Sequence, residues 1–161
     1  MNFSNIELGE NVIIHETSTI NNIKIDDGVR VAKFCSLYGS KDHQLVIGKD
    51  TYVGMFSIIN GFAGKIVIGK NVSIAQRVNI MADSGPNASL EMQEFFPIIK
   101  GGVTIGDHSW IGANVVIMPN VTLGDFCVVA ANSYVNTSFS AYSVIGGNPA
   151  RLIKKINNED R

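Results

Sequence analysis

The chain has 161 residues, 45% of them hydrophobic and 17% charged, with 13 basic residues against 14 acidic ones and a formal net charge of -1. This length suits one domain with a sizeable core, and the composition argues against intrinsic disorder. The basic residues are scattered, with no stripe to neutralise phosphates, which argues against a nucleic acid partner. Residues 1–9 lack a basic start followed by an apolar run, and no apolar stretch is long enough to span a bilayer, so the expectation is a cytoplasmic protein without membrane insertion.

In chain order, aliphatic residues recur at every sixth position: Leu8, Ile14, Ile20; Ile25, Val31, Leu37; Ile47, Val53, Ile59; Ile68, Ile74, Ile80; and, after a break, Ile105, Ile111, Ile117 and Leu123, Val129, Val135. A second column follows four residues behind the first and holds small or β-branched residues such as Val29, Thr51, Ser57, Val78 and Ser109. Cys35 and Cys127 fall in this column, far apart and without CxxC spacing, so they read as small buried hydrophobes rather than as a disulfide or metal pair. Period six lacks the apolar neighbours at three, four and seven that a helical face needs. Glycine or another small residue often follows the aliphatic, as at Gly9, Gly48, Gly69 and Gly112. Glycine accepts positive φ without penalty, so these positions read as turns.

Three short strands per triangular coil, stacked in parallel, satisfy this pattern. The predicted fold is all-β: a left-handed parallel β-helix of six to seven coils over 1–147. The longer spacings, at 38–46, 60–67 and 81–104, all fall after the third hexad of a coil and therefore stack at one corner. The last is an external loop, and such loops carry function more often than accident. Residues 148–161 read as a cap, with Pro149 opening a short helix, and a tail.

The C-terminal half resembles the hexapeptide-repeat acetyltransferases, above all those acting on surface-polysaccharide sugars and the maltose, galactoside and xenobiotic enzymes. The resemblance rests on VTIGDHSWIGANVVIMPNVTLGD (103–125), VVAANSYV (128–135) and GGNPARLIKK (146–155), joined to phased repeats along nearly the whole chain. It implies acetyl-CoA as co-substrate, no metal, a homotrimer with the co-substrate between neighbouring β-helices, and a sugar or nucleotide-sugar acceptor entering from the loop side. Residue by residue, it implies that the Ala113 backbone N–H holds the thioester oxyanion and that Ala131 lets the pantetheine arm pass. Pro149 and Arg151 fall at the adenine and phosphate positions; Lys154 is a candidate second cation, since CoA is polyanionic, and Trp110 reads as packing at a subunit interface. Asn136 and Thr137 depart from the Thr-Lys often found there.

The family's general base is a histidine just after the last strand before the long loop. Here the stretch reads NIMADSGPN: Asp83 is kept, but Ser84 stands at the histidine position. A hydroxyl needs a base to attack, whereas a deprotonated amine does not, so an amino-sugar acceptor gains credit. His43, in an earlier loop at the same corner but two coils and roughly 10 Å away, is the candidate substitute if a neighbouring subunit closes that distance, the other reading being an amine that needs no enzyme base; Asp83 and Ser84 complete the candidate catalytic set. His15 and His108 read as surface residues. A zinc carbonic anhydrase of this fold needs three convergent imidazoles, which 15, 43 and 108 do not offer. The alternative is a non-catalytic solenoid that has lost its base.

Overall fold

The computed structural model describes residues 4–157. Six coils follow the predicted phase. The first is β1 (Ile6–Leu8), β2 (Ile13–Ile14) and β3 (Thr19–Asn21); the second β4 (Ile23–Ile25), β5 (Arg30–Val31) and β6 (Ser36–Tyr38); the third β7 (Leu45–Ile47), β8 (Tyr52–Val53) and β9 (Ile58–Asn60). The fourth is β10 (Ile66–Ile68), β11 (Ser73–Ile74) and β12 (Asn79–Met81), which leads into β13 (Asp83–Ser84), helix α1 (Leu90–Phe95) and β14 (Ile99–Lys100). The fifth is β15 (Val103–Ile105), β16 (Trp110–Ile111) and β17 (Val116–Ile117), and the sixth β18 (Thr122–Leu123), β19 (Val128–Val129) and β20 (Tyr134–Val135). Phe139 bridges to Leu123 as the start of a seventh layer, completed by β21 (Ser143–Gly147) and β22 (Ala150–Lys155).

Each strand pairs in parallel with its counterpart one coil away, which makes three sheets: A from the first strands, B from the second and C from the third. The coils wind left-handed. The aliphatic column is the core: Leu37, Ile59, Ile80, Ile117 and Val135 of sheet C are all 0% exposed. Each such side chain contributes about 1.5–3 kcal/mol through burial. The second column is buried too, and its hydroxyls bind coil to coil. Thr51 donates Oγ1 to the Gly69 carbonyl (2.8 Å) and accepts from the Val72 N–H (3.1 Å). Ser57 and Ser109 repeat the pattern. Cys35 and Cys127 sit in this column as buried free thiols, donating to the Gly54 and Ser140 carbonyls.

Two expectations are corrected. The glycine after the aliphatic does not carry the left-handed conformation; that falls two residues later, mostly on asparagine and aromatic residues, including Asn11 (φ 55°), Phe34 (59°), Asn71 (54°), Asn114 (58°) and Phe126 (56°). The glycine is needed because the next coil runs against it. A Cβ at Gly48 would lie 2.6 Å from the Gly69 carbonyl carbon, and one at Gly112 2.6 Å from the Ala131 nitrogen. The cap is also different: residues 150–155 form no helix but the strand β22, antiparallel to β21. β21 presents an unpaired sheet edge, and pairing with it satisfies an extended chain better than a short isolated helix would. The tail beyond residue 157 lies outside the described residues.

Candidate active site at the loop corner

All three interruptions emerge where sheet C turns into sheet A. Residues Asn21, Tyr38, Asn60 and Met81 form a column there, each in register with the next. The loops stack by backbone bonds: Gly39 N–H to Asn21 O (3.1 Å), Gly61 N–H to Tyr38 O (2.7 Å) and Ala82 N–H to Asn60 O (2.9 Å). In the first loop, the His43 N–H donates to Ser40 O at 3.2 Å and Oγ at 3.1 Å, and the Ser40 N–H returns to His43 O at 2.9 Å. This closed turn projects Lys41, Asp42 and His43 outward from the prism.

In the long loop, β13 and β14 pair with Asp83 opposite Lys100 and Ser84 opposite Ile99. Directly opposed side chains share a face and successive ones alternate, so Asp83 and Ser84 point to opposite sides of the hairpin. Asp83 and Lys100 line a cavity of about 490 Å³ with His43, Asp42, Lys41 and Phe62. Ser84 lines another, of about 440 Å³, with Phe95, Phe96, Pro97 and Ile99. The structure therefore brings Asp83 and His43 together within one chain, and leaves Ser84 on the far side. Residues of the first and last loops thus line one cavity across two coils.

Sequence reasoning missed Tyr38, Asn60 and Lys100. Asn60 donates Nδ2 to Asp83 Oδ1 at 3.4 Å and holds the Phe62 N–H on its own Oδ1 at 3.0 Å. Tyr38 lies close enough to Asp83 to feel its charge; burial first, then that charge, pushes the phenol pKa above its ordinary value. Tyr38 is thus a neutral donor at physiological pH. Their signal was in the sequence, since Tyr38 and Asn60 each directly follow the third aliphatic of a coil at the loop corner. A carboxylate beside an imidazole, with two cations at the rim, can accept a proton from a bound amine or hydroxyl and hold an anionic group nearby.

The predicted co-substrate residues lie elsewhere. Ala113 and Ala131 stack at the corner between sheets B and C, tied by Asn132 N–H to Ala113 O at 2.9 Å. Among the described residues the Ala113 N–H has no protein acceptor, so it is available to a ligand. Pro149 lies in the turn between β21 and β22; Arg151 and Lys154 lie on β22, opposite Gly146 and Val144. Arg151 is exposed, and one guanidinium nitrogen donates to the Ala150 carbonyl at 3.0 Å. Ala113 and Asp83 occupy different edges of the prism, separated by the width of sheet C. The segment 113–118 that crosses it spans about 16 Å at strand rise. A single chain does not bring them together.

The three histidines occupy three different corners: His15 after β2, His43 in the first loop, and His108 after β15, stacked on Phe126 with ring centroids 4.8 Å apart. Among the described residues no three His, Cys, Asp or Glu side chains cluster as a metal set, and no helix is long and apolar enough to cross a membrane.

A family model for the bacterial transferase hexapeptide, six repeats, matches residues 102–137. Galactoside O-acetyltransferase of Escherichia coli K12 is 34% identical over 125 residues, which are 77% of this chain and 59% of that protein. The chain carries the hexapeptide repeat of the bacterial transferases and is similar to sugar acetyltransferases built on it. It spans about six tenths of the length of the galactoside relative. A second relative, dTDP-4-amino-4,6-dideoxy-D-glucose acyltransferase of Escherichia coli, is 29% identical over 92% of this chain and 81% of its own length. Among solved structures, the N-acyltransferase AntD of Bacillus cereus, in complex with dTDP and 3-hydroxybutyryl-CoA, superposes with a TM-score of 0.82. It is 28% identical and covers 94% of this chain and 83% of its own.

Proposed function

We propose that this hexapeptide-repeat protein is a cytoplasmic acetyltransferase that moves an acetyl group from acetyl-CoA to the amine of an amino sugar, and that it works as a homotrimer. The observation that carries this reading is the cavity at the loop corner in which Asp83, His43 and Lys100 converge. The relatives support it: two act on or are held with acyl-CoA and nucleotide ligands, and one is a sugar O-acetyltransferase. The roughly 16 Å between Ala113 and the loop corner supports the trimer, because a neighbouring copy can set its Ala113 edge against this corner. Trp110, 57% exposed on the outer face of sheet B, suits such a contact.

In this reading Ala113 N–H, Ala131, Pro149, Arg151 and Lys154 bind acetyl-CoA, with the cations on its phosphates. The amine nitrogen attacks the thioester carbonyl. A C–N bond forms, the oxyanion is held by the Ala113 N–H, and collapse breaks the C–S bond. The amine's proton passes to Asp83 or His43, and the departing thiolate takes up a proton to leave as CoA thiol. Ser84, turned away from Asp83, shapes the loop and acts only if the neighbouring copy approaches from that side.

The test is CoA release from acetyl-CoA with an amino sugar and with its hydroxyl analogue. The amine should react faster, with a rate rising through the amine's own pKa, and light scattering should report three times the chain mass. Absence of CoA release with every amine, together with no heat on adding acetyl-CoA, overturns the proposal.

A further inference from the structure

The edge between sheets B and C is a staircase of residue pairs, one per coil: Met55-Phe56, Gln76-Arg77, Ala113-Asn114 and Ala131-Asn132. Backbone bonds join the steps, from Arg77 N–H to Met55 O (2.9 Å), Asn114 N–H to Gln76 O (3.1 Å) and Asn132 N–H to Ala113 O (2.9 Å). The second residue of each step is left-handed, at φ 61°, 57°, 58° and 61°. Asparagine tolerates that conformation, whereas a long side chain pays about 1–2 kcal/mol for it. Among the described left-handed residues Arg77 is the only lysine or arginine, and its guanidinium has no partner within the described chain. Toward the C-terminal end, Asn114 Nδ2 closes the staircase by donating to Asn132 Oδ1 at 3.0 Å. Toward the N-terminal end, the Phe56 ring stacks on Phe34 with centroids 5.1 Å apart. Between these two closures Met55, Phe56, Gln76, Arg77 and Asn114 line a cavity of about 420 Å³ in which Arg77 is the one charged group.

This cavity starts one residue from Ala113 and extends away from Ala131. In the transferase reading above, the pantetheine arm passes Ala131 and the thioester stops at Ala113, so the cavity lies where the acyl group continues. An acetyl group ends after one methyl and reaches only its mouth. Coils are about 4.8 Å apart, and a four-carbon chain covers roughly that span from the thioester carbonyl to its far carbon at about 1.5 Å per bond. A carboxylate at that far carbon arrives at the step of Arg77, whose planar fork matches it with two charge-assisted bonds. Resting on that reading, we infer that the protein also transfers a four-carbon acyl group that ends in a carboxylate. Arg77 is the specificity-determining residue, and Met55 and Phe56, 43% and 48% exposed, flank the methylenes. The step balances as before. The C–N bond forms at the acyl carbonyl, the C–S bond breaks, the amine's proton passes to Asp83 or His43, and the far carboxylate is carried across unchanged.

Succinyl-CoA and butyryl-CoA both carry four-carbon acyl groups and differ in the far carboxylate. With one amino-sugar acceptor, and with enzyme-free CoA release subtracted, kcat/KM for succinyl-CoA should exceed that for butyryl-CoA by about tenfold or more. Arg77→Asn puts the residue of the next two steps into the same left-handed position, so the melting temperature should hold while this preference falls about tenfold or more. Arg77→Lys, which keeps the charge and loses the fork, should fall between. Calorimetry makes the same comparison without an acceptor: succinyl-CoA should bind more tightly than butyryl-CoA to wild type and not to the Arg77→Asn protein. Succinyl-CoA used and bound no better than butyryl-CoA, or a preference that survives Arg77→Asn, overturns the inference and leaves acetyl transfer standing. Absence of CoA release from acetyl-, butyryl- and succinyl-CoA alike overturns the transferase reading, and the binding difference still decides the acyl pocket.

Discussion

Asp83→Asn isolates the charge at the centre of the site. The Asn60 amide meets Asp83 at 3.4 Å, and a carboxamide oxygen can accept the same bond. The backbone pairing of Asp83 with Lys100 does not involve the side chain. Folding should therefore change by less than about 0.5 kcal/mol, as for a half-exposed substitution that keeps its contacts. Catalysis should change far more. Losing a positioned proton acceptor lowers kcat by about two to four orders of magnitude, or about 3–5 kcal/mol of transition-state stabilisation. The Kd for acetyl-CoA should not move, since its residues lie at another edge. Tyr38 supplies an independent readout. Burial is the larger cause of its raised pKa and the Asp83 charge the smaller, so in the variant its titration should shift down without returning to the ordinary value. Steady-state kinetics, calorimetry and ultraviolet titration against Tyr38→Phe measure these together. A kcat within threefold of wild type, with Tyr38 titrating as before, would refute both the role and the geometry from which it is argued.

Three further outcomes are expected. Arg151→Ala should weaken CoA binding about tenfold with kcat unchanged, by loss of one exposed charge-assisted phosphate contact, as read by calorimetry. Gly48→Ala should destabilise by about 1–3 kcal/mol, because its Cβ would lie 2.6 Å from Gly69 backbone, whereas Asn71→Gly at φ 54° should cost less than about 1 kcal/mol in urea unfolding. Burial raises the pKa of Cys35 and Cys127, so the folded state keeps protons that the unfolded state loses; their contribution is full below about pH 8.5 and falls as pH rises beyond it. The Cys35→Ser/Cys127→Ser protein should therefore lose less stability than wild type between neutral and alkaline pH in the same urea assay.

The repeat was readable because each buried aliphatic reports on its own coil. Ile59 and Ile80 sit twenty-one residues apart in sequence and pair directly in sheet C, so phase alone sets the register. The turn chemistry was not readable from the same pattern. A glycine required by close approach and one required by positive φ look alike, and only the neighbouring coil, Gly69 against Gly48, separates them. Residues 150–155 failed for a related reason: a six-residue run carries no periodicity strong enough to choose helix or strand, and the free edge of β21 chose.

The site divides along the same line. Ala113 and Ala131 lie on the repeat, so their stacking follows from their phase, and the edge proposed for the co-substrate was legible as a column. Asp83, His43, Phe62 and Lys100 lie on the three segments that leave the repeat. Coil counting gave the axial separation of His43 and Asp83, but not the path of loops that leave the repeat, and in the structure both residues line one cavity. The hairpin pairing that turns Ser84 away from Asp83 was invisible for the same reason, since it depends on Ile99 and Lys100 returning across the loop. In the proposed function the coils fix where a thioester can lie, while residues 38–46, 60–67 and 81–104 decide what meets it. Acceptor identity can change through those loops with the aliphatic columns untouched, so hydroxyl-accepting and amine-accepting members of this family should differ at the loop corner, and the charge and aromatic character of its two cavities is the property that separates them.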